Sequence, residues 1–169
     1  YHSAYIKLKE LLATNQIGKV RYIESTRLHL GPVRYHDGII WELLPHDISM
    51  VLGIVGLDED GIQDMTISDH NFTTHEDDNE FHHKRDHLDV NLKFHNGIKA
   101  RVCTSWLYPK KEQRLTVIGT KGALIFEDTL YWDQKLKLSQ YDTATIIDID
   151  LAKIEPLKAE ISHFIDCTN

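Results

Sequence analysis

The chain has 169 residues, 41% hydrophobic and 27% charged, with 19 Lys and Arg against 26 Asp and Glu and a net charge of −7. A domain of this size buries a core without disulfides or metals, and its acidic balance, with no local basic cluster, excludes a nucleic-acid groove as the expected function. No apolar run is long enough to span a bilayer and no secretory signal opens the chain; Cys103 and Cys167, far apart, suit a reducing, cytoplasmic setting.

In chain order, residues 3 to 14 place Ala4, Leu8, Leu11 and Leu12 on one helical stripe, with Asn15 and Gly18 as stop signals. Val20 to Leu30 is rich in β-branched and aromatic residues and predicts a long strand, broken by Gly31-Pro32. Alternation sends Arg27 and His29 to one face of it. A loop over 31 to 40 carries Arg34, Tyr35, His36 and Asp37. The next helix buries Ile48, Val51, Leu52 and Val55, tolerates Pro45 only near its start, and ends at Gly56.

Short strands are then expected at Met65 to Thr74, His87 to Phe94, Ile98 to Trp106, Arg114 to Ile118, Ala123 to Phe126, Leu130 to Trp132, Lys135 to Leu138 and Ile146 to Ile149. His95-Asn96-Gly97 and Gly119-Thr120-Lys121-Gly122 are hairpin turns. A last helix starts at Pro156 and is expected to bury Leu157, Ile161, Phe164 and Ile165. Helices flanking a run of hairpins predict an α+β domain, a largely antiparallel open sheet with helices packed on one face. Apolar strand residues such as Leu88, Val90, Leu92 and Phe94 beside Leu115 and Val117 predict a sheet face covered by a partner subunit, hence a homo-oligomer. The first helix is already running by Ser3 and the last pattern has no stop signal, so the chain is expected to be a piece of a longer protein.

The chemistry concentrates in Trp41-Glu42-Leu43-Leu44-Pro45-His46-Asp47. If the segment is helical from Glu42, the four-residue spacing stacks carboxylate and imidazole on one face. That pairing builds a general acid/base. The plainer alternative is a helix N-terminus in which Glu42 favours the positive end of the dipole and His46 is a satisfied polar residue. Arg27, His29, Arg34 and Asp37 precede the pair and can line a polar pocket, Arg34 suiting bidentate contact with phosphate or carboxylate. Trp106 and Tyr108 offer an aromatic face to a sugar, or else are core and edge residues. His70, His75, His82, His83 and His87 lie among acidic residues, but half of any zinc signature is missing and no metal is expected. The Gly119–Gly122 segment leads into a strand rather than a helix, so it is a turn and not a phosphate loop.

Four segments in order resemble the C-terminal substrate domain of the glucose–fructose oxidoreductase, inositol dehydrogenase and rhizopine-catabolism (Gfo/Idh/MocA) family. They are Tyr1 to Leu12 with Ile17-Gly18-Lys19-Val20; Ile39 to Ser49, similar to a "W-D-x-x-x-H-D" element; Thr104-Ser105-Trp106 with Leu115 to Leu124; and Glu155 to Ile165. The resemblance implies a dihydrodipicolinate-reductase-like fold over residues 1–169, a single substrate-binding and oligomerisation domain. It also implies hydride transfer between NAD or NADP and a secondary alcohol of a sugar or nucleotide sugar, most like nucleotide-sugar 3-dehydrogenases. In that scheme His46 takes the hydroxyl proton, or assists the lysine that does, and Glu42 orients it. The family usually has Asp where this chain has Glu42. The family's Glu-Lys-Pro lysine and Gly-rich dinucleotide turn belong to an N-terminal Rossmann domain that this sequence lacks, so the isolated chain is expected to be inactive. A non-catalytic ligand-binding or scaffolding domain and a His-rich metal-binding protein are the competing readings.

Overall fold

The computed structural model describes residues 2–31, 38–56, 61–70, 72 and 85–168. It forms a mixed α+β fold of eight strands and four α-helices, dividing into one unit of residues 21–115 and another of residues 1–20 with 116–169. No helix among the described residues is long and apolar enough to cross a membrane.

Strict alternation builds the first unit. Strand β3 (His87–Phe94) buries Leu88, Val90, Leu92 and Phe94, while His87, Asp89, Asn91 and Lys93 take the other parity. It pairs antiparallel with β2 (Ile62–His70) on one side and with β4 (Lys99–Ser105) on the other. Strand β1 (Val20–Leu30) pairs parallel to β4, from Tyr22 opposite Lys99 to Leu28 opposite Ser105. The order here is β2-β3-β4-β1-β5, with β5 (Leu107–Gly119) continuing into the second unit. Helices α2 (Gly38–Glu42) and α3 (Leu44–Val55) pack against β3 and β4 and bury Ile39 and Val51. The Asn96-Gly97 turn is present: Gly97 has φ 81° and Asn96 Oδ1 accepts from the Ile98 N–H.

In the second unit α1 (Ser3–Ala13) buries Ala4 and Leu8 and lies against β6 (Gly122–Glu127). β6 pairs antiparallel with β7 (Leu136–Gln140), and β7 with β8 (Thr145–Asp148). The hairpin expected at Gly119–Gly122 joins β5 to β6.

Five expectations need correction. Helical hydrogen bonding stops at Leu43, so Glu42 ends α2 while His46 lies in α3. Pro45 is the reason, since it has no N–H to donate to the Trp41 carbonyl of a continuous helix. Residues 130–132 form no strand; a 3₁₀ turn at Trp132–Gln134 leads into β7, and Lys135 Nζ reaches back to Asp128 Oδ1 at 2.5 Å, which closes the bend. Strand β2 starts at Ile62, earlier than expected, with Asn71, Thr73 and Thr74 outside the described residues, and β5 starts seven residues before Arg114. Helix α4 (Pro156–Thr168) leaves its apolar residues exposed, Leu157 by 67% and Phe164 by 68%. Finally, the apolar residues cited for a second sticky face, Leu88 to Phe94 with Leu115 and Val117, are all core. The parity opposite that of Leu88 in β3 and Val102 in β4 carries His87, Asp89, Asn91 and Arg101 instead.

Candidate functional site

Asp47 is the buried anchor of the motif. It lies in the first turn of α3, 2% exposed, where a carboxylate complements the helix dipole. Its Oδ1 accepts from Ser25 Oγ and its Oδ2 from Arg27 Nε, both at 2.6 Å. Ser25 and Arg27 share a face of β1, so two alternate strand residues bolt the helix start to the sheet. A charge buried this deeply is tolerable because it is paired and both oxygens are engaged. Sequence reasoning passed over Asp47 in favour of its neighbour; the signal was an acid directly after Pro45-His46, inside the first helical turn. Arg27, expected to meet substrate, is committed to this clamp.

His46 stands on the same turn with its ring exposed, and among the described residues that ring makes no hydrogen bond or ion pair. Glu42 is half-buried at the end of α2. Leu43, the hinge between the helices, walls an open groove of about 420 Å³ that is also lined by His29, Leu30, Pro109, Lys111 and Gln113. The structure therefore brings His29 together with the motif. Lys111 and Gln113 escaped notice because β5 had been expected to start only at Arg114. Tyr108 is 44% exposed on β5. Trp106 is fully buried, and its N–H and C=O are held by the Asp86 carbonyl and the Gly31 N–H, so it has no face to offer a sugar and is a core residue. Arg34 and Asp37 lie outside the described residues, as do Tyr35 and His36.

His87, Asp89 and Cys103 place one potential metal-ligand atom each within 4.8 Å of one another. Their chemistry favours a hydrogen-bond network. Asp89 accepts from Arg101 Nε at 2.8 Å and contacts His87 Nε2 at 3.0 Å. Burial would raise the Asp89 pKa, but the hydrogen bonds from His87 and Arg101 outweigh it and hold the carboxyl below its usual range. Burial, reinforced by the Asp89 charge, pushes the Cys103 thiol up to about 11, which opposes the thiolate a metal needs. His75, His82 and His83 of the histidine-rich stretch are outside the described residues.

Among the described residues, none make a site that fits the dinucleotide the resemblance implies. Gly119 and Gly122 are the glycines nearest to a phosphate-loop pattern, but both press against backbone. A β-carbon at Gly119 would lie 2.2 Å from the Ile17 carbonyl oxygen, and one at Gly122 2.2 Å from that of Ser139. The turn is closed by the chain itself, with no cradle of free N–H groups at a helix N-terminus.

Residues 5–125 match the family model described as the GFO/IDH/MocA C-terminal domain. No curated protein matches the chain. Among solved structures it is similar to UDP-N-acetylglucosamine 3-dehydrogenase GnnA from Acidithiobacillus ferrooxidans, at 20% identity and TM-score 0.77, covering 99% of this chain and 49% of that one. An aldose-aldose oxidoreductase from Caulobacter crescentus, complexed with glycerol, aligns at 15% identity and TM-score 0.73, covering 98% and 50%. An oxidoreductase from Pseudomonas syringae aligns at 17% and 0.70, covering 92% and 41%. The chain spans about half the length of the first two structures and somewhat less of the third.

Proposed function

Because the chain belongs to the GFO/IDH/MocA family through its C-terminal domain, we propose that it is the substrate domain of an NAD(P)-dependent oxidoreductase acting on a secondary alcohol of a sugar or nucleotide sugar. The cofactor is held by a separate nucleotide-binding domain, since the described residues make no cradle for it. The observation that carries the reading is the Asp47 clamp: it fixes the first turn of α3, on which the His46 ring is exposed three residues after the groove-lining Leu43. On this reading the groove seats the substrate and His46 accepts the hydroxyl proton. The whole enzyme is a homo-oligomer joined through the sheet. Support for that comes from the exposed Ile62, Met65 and Ile67 of β2, the strand at the edge of the sheet.

The test is His46→Asn in the complete oxidoreductase. Asn keeps polar contacts but cannot take a proton near neutral pH, so substrate affinity should persist while kcat falls about a hundredfold to ten-thousandfold. The limb of the pH–rate profile that reports His46 should vanish. An unchanged kcat and profile would make His46 a structural residue and leave a ligand-binding or scaffolding domain as the function.

A further inference from the structure

We infer that the apolar stripe of α4 is an internal docking face, covered in the complete oxidoreductase by the part of the same polypeptide that lies outside these 169 residues. The inference rests on the proposed function only in taking the chain as one domain of a longer enzyme.

Leu157, Ile161, Phe164 and Ile165 follow the spacing i, i+4, i+7 and i+8, which gathers them into one stripe along α4. Lys158, Glu160, Ser162, His163 and Asp166 occupy the rest of its circumference. A pattern this regular belongs to a helix with one covered side. The structure nevertheless turns the stripe to solvent: Leu157 is 67% exposed, Phe164 68%, Ile161 50% and Ile165 51%. No residue of α4 is buried. Its half-exposed residues, Pro156 and Ala159, lie on the side away from the stripe. The other long helices of the chain each bury one side, α1 through Ala4 and Leu8 and α3 through Asp47 and Val51.

A helix of 13 residues is marginal in water by itself and takes most of its stability from packing its amphipathic face. The stripe therefore needs a cover, and its size decides which kind. Pairing with α4 of a second copy would bury four side chains from each molecule, well short of the roughly 1,200 Å² of a stable association. A covering segment of the same polypeptide faces no such threshold, because the tether removes the cost of bringing two molecules together. The solved relatives have chain to supply it. The alignment with GnnA runs over 99% of this chain, and so includes α4, yet over only 49% of the GnnA chain.

Hydrogen exchange of the α4 amides, measured in this chain and in the complete oxidoreductase, tests the assignment. In this chain they should exchange almost as fast as in an unfolded peptide, and in the complete protein roughly a hundredfold more slowly. Phe164→Asp and Leu157→Asp should each abolish that protection in the complete protein while the α1 amides stay protected. Neither variant should change the unfolding of this chain by itself, where both side chains are exposed. Ser162→Lys, on the polar side, should leave the protection intact. Protection in this chain alone that grows with concentration and disappears in Phe164→Asp would make a second copy the cover and overturn the inference. An α4 that stays unprotected in the complete protein overturns it as well. Protection in a complete protein that binds no NAD(P) overturns the proposed function and leaves the docking face standing.

Discussion

Asp47 Oδ2 accepts a hydrogen bond from Arg27 Nε at 2.6 Å across twenty residues of sequence, and this pair welds the start of α3 to strand β1. Its removal should be felt twice. Asp47→Ala strands a guanidinium that is only 17% exposed and leaves Ser25 Oγ without its acceptor, costing about 3 kcal/mol. Asp47→Asn keeps the Ser25 contact and should cost about half as much. Denaturant unfolding measures both, and, on the proposed function, oxidoreductase activity of the longer protein should fall with the same ranking, because the turn that carries His46 loosens.

His2 and Asp128 make a second tie, inside the other unit. His2 Nδ1 accepts from the Ala4 N–H at 3.1 Å, which puts the ring proton of the neutral form on Nε2, 3.1 Å from Asp128 Oδ1. The ring also stacks on Trp132 at 5.5 Å. The hydrogen bond from His2 outweighs burial and, with Lys135, holds the Asp128 carboxyl far below its usual range. A depressed folded pKa contributes stability that is fully present above the unfolded value of about 3.8 and is lost as pH falls through the folded one. Asp128→Asn should therefore lower Tm near neutral pH, and the gap to the wild type should narrow steadily as pH drops below that value. A gap independent of pH would mean that the carboxylate charge does not act in the fold.

Two glycines should separate close approach from backbone strain. At Gly119 an added β-carbon meets the Ile17 carbonyl oxygen, which itself accepts from the Lys121 N–H at 2.9 Å. Neither backbone group can move aside cheaply, so Gly119→Ala should cost about 2–3 kcal/mol. Gly97 has φ 81° but open space around it, and Gly97→Ala should cost only the left-handed strain, about 1 kcal/mol. Urea unfolding that ranked the two in the opposite order would count against the strap between Ile17 and the β5–β6 turn.

For the assembly, light scattering should report a dimer or tetramer. Ile67→Lys, which places a charge among the exposed apolar residues of β2, should shift the population toward monomer with little change in unfolding free energy. A monomer across a wide concentration range would remove the oligomer from the proposed function.

The element types were largely legible because local rules decide them. Alternation from Leu88 to Phe94, the Asn96-Gly97 turn and the proline at the head of α4 each announce themselves within a few residues. The sequence around His46 did not show that Pro45 would break the helix and part Glu42 from His46. What sequence did not contain was which partner each side chain meets. That Asp47 rather than Glu42 bears the clamp depends on Ser25 and Arg27 arriving beneath α3 through a parallel pairing of β1 with β4. Trp106 looked available for a sugar, yet packing took it into the core. Lys111 lines a groove with His29 because β5 extends back to Leu107. Periodicity gives each residue a face, but burial and pairing depend on what the rest of the chain lays against that face, and only tertiary structure supplies that.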